Sequence, residues 1–195
     1  MHMKSIGLSI LMCLATALFT GCASLPPAAE RVPTVAIDNT SGTTLGRAIV
    51  PLVDEHSGLS GFYALKEGIE AYAARLLLVR NADKSLDVQY YIWKDDLTGK
   101  TLLTEVLAAA DRGVRVRLLL DDLDTANEDY LLRVLDAHPN IEIRLFNPFA
   151  NRGNRLLDFV TDPSRINRRM HNKSLTADNQ ATIFGGRNIG DEYFD

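Results

Sequence analysis

The sequence predicts an α/β domain with a mostly parallel sheet flanked by helices, and three observations lead to this fold class. The 195 residues suit one domain, and the composition, 46% hydrophobic and 24% charged, is that of an ordinary globular chain. Beyond Gly61, segments with apolar residues at helical spacing alternate with short segments rich in branched apolar residues. This alternation of helices and strands needs crossover connections, which join parallel strands.

The first predicted helix and strand lie between residues 64 and 93. Residues 64–81 place apolar side chains at helical spacing, and the helix ends near Asn81. Its apolar stripe consists of Leu65, Ile69, Tyr72, Ala73 and Leu76. Residues 86–93 (LDVQYYIW) then predict the first strand of the sheet.

Turn composition at Asp95–Gly99 precedes a second helix over residues 100–112, which ends at Gly113. The apolar face of this helix consists of Leu102, Leu103, Val106, Leu107 and Ala110. The remaining elements are a strand over 114–120 (VRVRLLL), a helix over 129–137 that Pro139 closes, and a strand over 141–146 (IEIRLF). The strands and helices therefore keep alternating up to residue 146.

A polar stretch over residues 147–170 follows the last of these strands. It contains Arg152, Arg155, Arg165, Arg168 and Arg169. The stretch is consistent with a solvated loop, and equally with a basic rim that draws phosphate groups toward a neighbouring site.

Residues 1–21 predict a lipoprotein signal peptide. Lys4 precedes an apolar run over residues 6–19, which is shorter than the roughly 18 to 20 apolar residues of a membrane span. A permanent transmembrane helix is the alternative. The segment LFTGC, residues 18–22, resembles a bacterial lipobox, which implies acylation of Cys22; an ordinary signal peptide with an incidental cysteine is the other interpretation. With Ala23 after the cysteine, the resemblance implies anchoring in the bacterial cell envelope, facing the periplasm, at the outer membrane.

Residues 22–60 predict a flexible tether, because they are rich in Pro, Thr, Ser and Gly and lack sustained periodicity. Both cysteines, Cys13 and Cys22, precede the folded part. The folded part therefore has no cysteine for a disulfide, a zinc site or nucleophilic attack. The formal net charge of -4 argues against a dedicated nucleic-acid binder, which usually carries a basic excess.

The residues that carry chemistry begin at Met170, in the segment MHNKSLTADNQATIFGGRN. If residues 171–177 form a strand, its period of two places His171 and Lys173 on the same face. Imidazole can attack phosphorus or transfer protons near neutral pH, and a neighbouring ammonium neutralises phosphate oxygens. The pair therefore predicts a site for a phosphate group.

A second short apolar strand over residues 181–184 leads into Gly185 and Gly186, where the backbone can approach a ligand closely. Asn188 adds an amide donor. These features suit an anion with oxygens on several sides.

The joint pattern, His-x-Lys, four residues, Asp178, six residues, Gly-Gly-x-Asn188, resembles the signature of the phospholipase D superfamily. Residues 86–93, 109–122 and 138–148 resemble the N-terminal half of bacterial cardiolipin synthases, particularly the exported C-type group. The likeness covers residues 61–195. It implies a phospholipase D-like sandwich of which this chain holds the first of two half-domains.

The resemblance implies a reaction in two steps without a metal or other cofactor. One histidine attacks the phosphodiester and forms a phosphohistidine, and a second histidine protonates the leaving alcohol. An incoming alcohol or water then resolves the intermediate. By the same resemblance His171, Lys173 and Asp178 form the catalytic motif, with His171 as the nucleophile and Asp178 as a structural partner of the motif strands rather than a proton-transfer group. Lys173 and Asn188 bind phosphate together with Gly185 and Gly186.

Other acidic residues admit two interpretations each. Asp121, Asp122 and Asp124 could form a magnesium site at the end of a strand, but capping of that strand and of the next helix explains them better. Asp191 or Glu192 could orient His171.

The pattern His-x-Lys, four residues, Asp occurs once, and His171 is the last histidine of the chain. We therefore expect residues 61–195 to be truncated at their C-terminal end, with the second motif in the same longer chain or in a dimer partner. The leading prediction is a phosphatidyltransferase that makes cardiolipin from phosphatidylglycerol and another phospholipid at the membrane. A phosphodiester hydrolase of lipid or nucleic acid, and a catalytically silent lipid-binding fragment, are the alternatives.

Overall fold

The computed structural model describes Leu25 and residues 33–195. The predicted signal peptide and the lipobox cysteine, Cys22, lie outside the described residues. The chain divides into two compact units, of which the larger comprises residues 33–148 and 168–195 of the described part. The smaller unit comprises Leu25 and residues 149–167.

A five-stranded sheet forms the centre of the larger unit. Its strands are β1 (Ser85–Tyr90), β2 (Arg115–Asp121), β3 (Ile141–Phe146), β4 (Lys173–Ala177) and β5 (Ala181–Phe184), in the order β3-β2-β1-β4-β5. Strands β1, β2 and β3 pair in parallel, whereas β4 runs antiparallel to both β1 and β5. Four strands therefore share one direction, which confirms the predicted, mostly parallel α/β fold.

Helices of the larger unit are α1 (Thr44–Asp54), α2 (Gly68–Asn81), α3 (Leu97–Asp111) and α4 (Asp129–Asp136), with a short 3-10 helix at Asp191–Tyr193. Helix α3 begins where the Asp96 side chain accepts a hydrogen bond from the Gly99 backbone N–H, at 3.0 Å. It ends before Gly113, whose φ of +96° suits a residue without a side chain. Leu102, Val106 and Ala109 are fully buried along the helix. The predicted helix and its stop are confirmed.

The buried face of α2 differs from the predicted stripe. Ile69 is 77% exposed, whereas Ala71, Arg75 and Val79 are at most 3% exposed. Arg75 is tolerated inside because its guanidinium donates to the Ala71 carbonyl and to the Tyr90 hydroxyl, at 2.6 and 3.0 Å. Of the predicted stripe, Leu65, Tyr72 and Leu76 pack against the core, as expected. Ile69 and Ala73 are exposed, so the prediction was wrong for these two residues. A pattern of apolar residues alone does not indicate a buried arginine.

Regular structure also occurs where composition predicted only a flexible tether. In α1, the Thr43 side chain caps the first turn by accepting from the Gly46 N–H at 3.0 Å. The Thr44 N–H donates to Asp83 at 2.6 Å, and Gln180 donates to the Thr40 hydroxyl at 2.8 Å. These partners are 39 and 140 residues away in the sequence, so local composition does not indicate them.

The smaller unit carries two short helices, α5 (Arg155–Thr161) and α6 (Pro163–Ile166), within the stretch predicted as a loop or basic rim. Asp158 organises this unit by accepting from the Ala150 and Asn151 backbone N–H groups. Arg165 forms ion pairs with Asp158 and Asp162, at 3.6 and 3.0 Å. The charge of Arg165 is therefore paired with carboxylates of its own unit, as in a structured segment rather than a basic rim.

Among the residues that the structure describes, none of the helices combines the length and the apolar composition needed to cross a membrane.

Candidate active site

The predicted site residues other than Asp178 lie at one edge of the sheet, where β1, β2, β3 and β5 end and β4 begins. His171 precedes β4 by two residues, and Gly185 directly follows β5. The carboxyl ends of parallel strands are where α/β proteins commonly bind ligands. The antiparallel β4 contributes its beginning to this edge, and it thereby brings His171 and Lys173 there.

His171 lies in irregular chain just before β4, not in the strand itself as predicted. Its side chain is exposed, and its ring stands against the ring of Tyr91, with centroids 4.5 Å apart and planes at 50°. An exposed imidazole at an open sheet edge can be reached by a substrate. The side chain contributes little to packing, so a chemical role explains a histidine at this position better than a structural role does.

Lys173 is only 7% exposed, yet its ammonium has no carboxylate partner within the described part of the chain. Its Nζ donates to the His171 carbonyl at 2.9 Å and lies 5.1 Å from the centroid of the Tyr91 ring. Desolvation by burial lowers the pKa of Lys173 below the ordinary value for lysine. A desolvated cation without a counter-charge favours an anion such as phosphate.

Asp178 does not join this pair. It lies at the other end of β4, seven residues beyond His171, and at about 3.3 Å per residue the two are roughly 20 Å apart. Its carboxylate is fully buried and accepts from the backbone N–H groups of Asp83, Lys84 and Ser85, at 2.9, 2.7 and 2.9 Å. The structure therefore places Asp178 apart from His171 and Lys173, and its bonds to backbone N–H groups are those that the expected structural role requires.

Gly185 and Gly186 form an open rim beside the pair. The Gly185 N–H donates to the Lys173 carbonyl at 3.3 Å, and Gly185 adopts a φ of +155°. A side chain carbon at either glycine would meet no atom within 4 Å. The surface is therefore open at both glycines, directly after β5.

Asn188 is 5% exposed, and its Oδ1 accepts from the Ile92 N–H at 3.2 Å. This bond fixes the orientation of the amide, whose Nδ2 carries the two N–H donors. Asn188 can thus offer a donor to an anion, as the sequence analysis predicted.

Asp121 anchors the chain that leads to His171, a role that the sequence pattern does not predict. It is 1% exposed, and it accepts from Arg169 Nη1 at 2.9 Å and from the Met170 N–H at 2.7 Å. These are the two residues directly before His171. The only sequence signal was an acidic residue at the end of a strand.

The three aspartates considered for magnesium have separate partners. Asp121 pairs with Arg169, Asp122 accepts from the Thr125 hydroxyl, and Asp124 pairs with Lys94 at 2.8 Å. No group of three potential metal ligands occurs within residues 33–195 or at Leu25. Asp121 accepts from the Leu123 N–H just after β2, which agrees with capping of the strand. The expected capping of the next helix is wrong, because the N-cap of α4 is Glu128 and it makes no side-chain hydrogen bond there.

Asp191 accepts from the Thr98 N–H at 2.8 Å, and its own N–H donates to Asp96 at 2.7 Å. It therefore joins the last 3-10 helix to the start of α3 instead of orienting His171. Lys94 is held by a hydrogen bond to Asp124, which raises its pKa, and the charge of Glu192 acts in the same direction. Among the described residues, neither Asp191 nor Glu192 forms a hydrogen bond or an ion pair with His171.

The sheet, the edge and the arrangement of His171, Lys173 and Asn188 together define a domain of phospholipase D type. Residues 76–195 match the family described as "Cardiolipin synthase, PLD-like domain". The chain belongs to this family.

Known relatives agree with this assignment. The chain is 56% identical over 150 residues to cardiolipin synthase C of Escherichia coli K12, covering 77% of this chain and 32% of the relative. It is 30% identical over 132 residues to a cardiolipin synthase of Staphylococcus aureus Mu50, covering 65% and 24%. NucT from Helicobacter pylori shares the fold, with a TM-score of 0.50 at 20% identity over 69% of this chain and 76% of that one. The chain spans about a third or less of the length of these two cardiolipin synthases.

Proposed function

We propose that this chain supplies the first motif of a phosphatidyltransferase that forms cardiolipin through a phosphohistidine at His171. The observation that carries the proposal is the pair of an exposed imidazole and a buried ammonium, Lys173, at an open edge of the sheet. The neighbours of the Lys173 ammonium are the His171 carbonyl and the Tyr91 ring, neither of which carries a full negative charge. This arrangement leaves positive charge available for a phosphodiester.

In the first step, an imidazole nitrogen of His171 attacks phosphorus in the phospholipid donor. The nitrogen–phosphorus bond forms while the bond to the leaving alcohol's oxygen breaks, and that oxygen takes a proton from the histidine of a second motif. In the second step, the hydroxyl of phosphatidylglycerol attacks phosphorus, gives its proton to the same second histidine and releases His171. Lys173 and the Asn188 amide stabilise the non-bridging oxygens throughout.

The second motif is part of the proposal, and a chimera tests it. In cardiolipin synthase C of Escherichia coli, the region that is similar to this chain would be replaced with the corresponding part of this chain. Conversion of phosphatidylglycerol by this chimera would be followed by lipid mass spectrometry. We expect cardiolipin from the chimera and none from the 195-residue chain alone, because one motif supplies only one histidine. His138→Ala, at a residue that pairs with Asp111 away from the site, is the matched control and should keep full turnover.

Other products would contradict the proposal in distinct ways. Phosphatidic acid without cardiolipin would make the protein a hydrolase. Absence of both products from a folded chimera would make the domain a silent lipid-binding module. Sustained turnover by the 195-residue chain alone would mean that two copies complete the site.

We also propose that acylation of Cys22 holds the enzyme in the bacterial cell envelope, at the periplasmic face of the outer membrane, close to its lipid substrates. Each buried methylene contributes about 0.8 kcal/mol, and several acyl chains together anchor a protein stably. Cells given a palmitate analogue should label the wild-type chain and Cys13→Ser, but not Cys22→Ser. Equal labelling of Cys22→Ser would disprove acylation at this residue.

A further inference from the structure

We propose that Tyr91 is a positioning residue whose ring holds both His171 and Lys173. This inference rests on the proposed function, since it concerns the same phosphate site. Tyr91 falls within the predicted strand over residues 86–93, and the motif that begins at His171 does not include it.

The location of the Tyr91 ring follows from the sheet. Strand β1 pairs with the antiparallel β4 so that Tyr90 lies opposite Lys173, and the chain bends at Tyr91, directly after β1 ends. The ring then lies 4.5 Å from the His171 ring and 5.1 Å from the Lys173 Nζ, measured to its centroid. One side chain thus contacts both functional groups of the motif.

The preceding tyrosine has a different task. Tyr90 is fully buried, its hydroxyl accepts from Arg75, and its ring meets Trp93 edge-on at 5.7 Å. These contacts belong to the core. Of the two adjacent tyrosines, Tyr90 therefore packs in the core, whereas Tyr91 contacts the site.

The chemistry of an aromatic ring suits this position. The face of the ring carries partial negative charge, so it attracts an ammonium without donating a full counter-charge. A carboxylate in the same place would neutralise Lys173 and would repel phosphate. The ring therefore compensates part of the desolvation of Lys173 and leaves its positive charge free to bind phosphate.

Binding of inorganic phosphate to the purified 195-residue chain tests the proposal without requiring turnover. The ε-CH₂ protons of isotope-labelled Lys173 report the geometry by NMR, because protons over an aromatic ring resonate upfield. We expect Tyr91→Leu to abolish this upfield shift and to weaken phosphate binding by roughly 2- to 30-fold, the range for cation–π contacts. Tyr91→Phe should keep both, since the ring remains. Tyr130→Leu, at a tyrosine that is 76% exposed on α4, is the matched control.

A variant of similar shape keeps the proposal testable if Tyr91→Leu does not fold. Replacement of Tyr91 with pentafluorophenylalanine keeps an aromatic ring of similar size but reverses the charge of its face, so it should weaken phosphate binding even if Tyr91→Leu unfolds. Wild-type phosphate affinity in the fluorinated variant would overturn the proposal. A loss in Tyr91→Phe equal to that in Tyr91→Leu would also overturn it, since it would assign the effect to the hydroxyl.

Lys173→Met separates this proposal from the proposed function. If Lys173→Met binds phosphate as tightly as the wild type does, the proposed phosphate site at Lys173 is contradicted. If Lys173→Met loses affinity while Tyr91→Leu and the fluorinated variant keep it, only the role of Tyr91 fails.

Discussion

His171→Ala is expected to abolish the covalent phosphoenzyme and to lower turnover of the chimera by on the order of 10⁴- to 10⁶-fold, the size of loss typical for a removed nucleophile. The substitution removes the nitrogen that would bond to phosphorus. Because the His171 side chain is exposed, its loss should change the thermal midpoint of the chain little. A large catalytic loss with an intact fold is the expected signature.

The decisive measurement is acid-quench trapping of the chimera with a phosphorus-labelled donor lipid, followed by peptide mapping. Label on the peptide that contains His171 is the expected result. Asn172→Ala, next to His171 and bonded to Gln89 at 2.8 Å, is a control that should retain the label. Label confined to the histidine of the second motif would reverse the assigned roles, making His171 the general acid.

Asp178→Ala is expected to lower the free energy of unfolding by about 3 to 5 kcal/mol, measured by urea denaturation of the 195-residue chain. The carboxylate is fully buried and accepts from three backbone N–H groups. The Ser85 donor is buried, so leaving it unpaired costs about 1 to 3 kcal/mol. The Asp83 and Lys84 donors are part-buried, so water can replace the lost acceptor and together they add about 1 kcal/mol. Asp178 also adopts a φ of +52°, in which alanine adds about 1 kcal/mol of strain.

Asn179→Ala separates the two contributions to that loss. Asn179 has a φ of +54° but an exposed side chain, so its substitution reports the backbone strain alone, about 1 kcal/mol. Asp178→Asn should lie between the two alanine variants, because its amide keeps one acceptor oxygen. Equal losses for Asp178→Ala and Asn179→Ala would contradict the role of the carboxylate in joining the strands.

Several elements were predictable because their signals are local. Strand β3 has the predicted bounds, Ile141–Phe146, since period-two alternation and the preceding Pro139 act within a few residues. Gly113 ends α3 for an equally local reason, its positive φ. The spacing of His171 and Lys173 is also local, which is why it indicated a phosphate site before any fold was known.

Other features depend on partners far along the chain. The face that α2 buries is set by Arg75, whose charge is satisfied by the hydroxyl of Tyr90 on β1. Helix α1 depends on a bond from Thr44 to Asp83, and it was missed because residues 22–60 look like a tether in composition. Burial and hydrogen bonding across the fold override local preference at these positions.

The sequence by itself determined the α/β class, the order of the main elements beyond Gly61 and the family signature, because periodicity and motif spacing are properties of adjacent residues. Only the tertiary structure decided which signature residues meet. It placed His171 and Lys173 against Tyr91, and it placed Asp178 at the far end of β4. It also joined Asp121 to the residue before His171, 49 positions along the chain. The physical reason is that strand pairing and buried hydrogen bonds between distant residues, not spacing along the chain, fix the distances within the site.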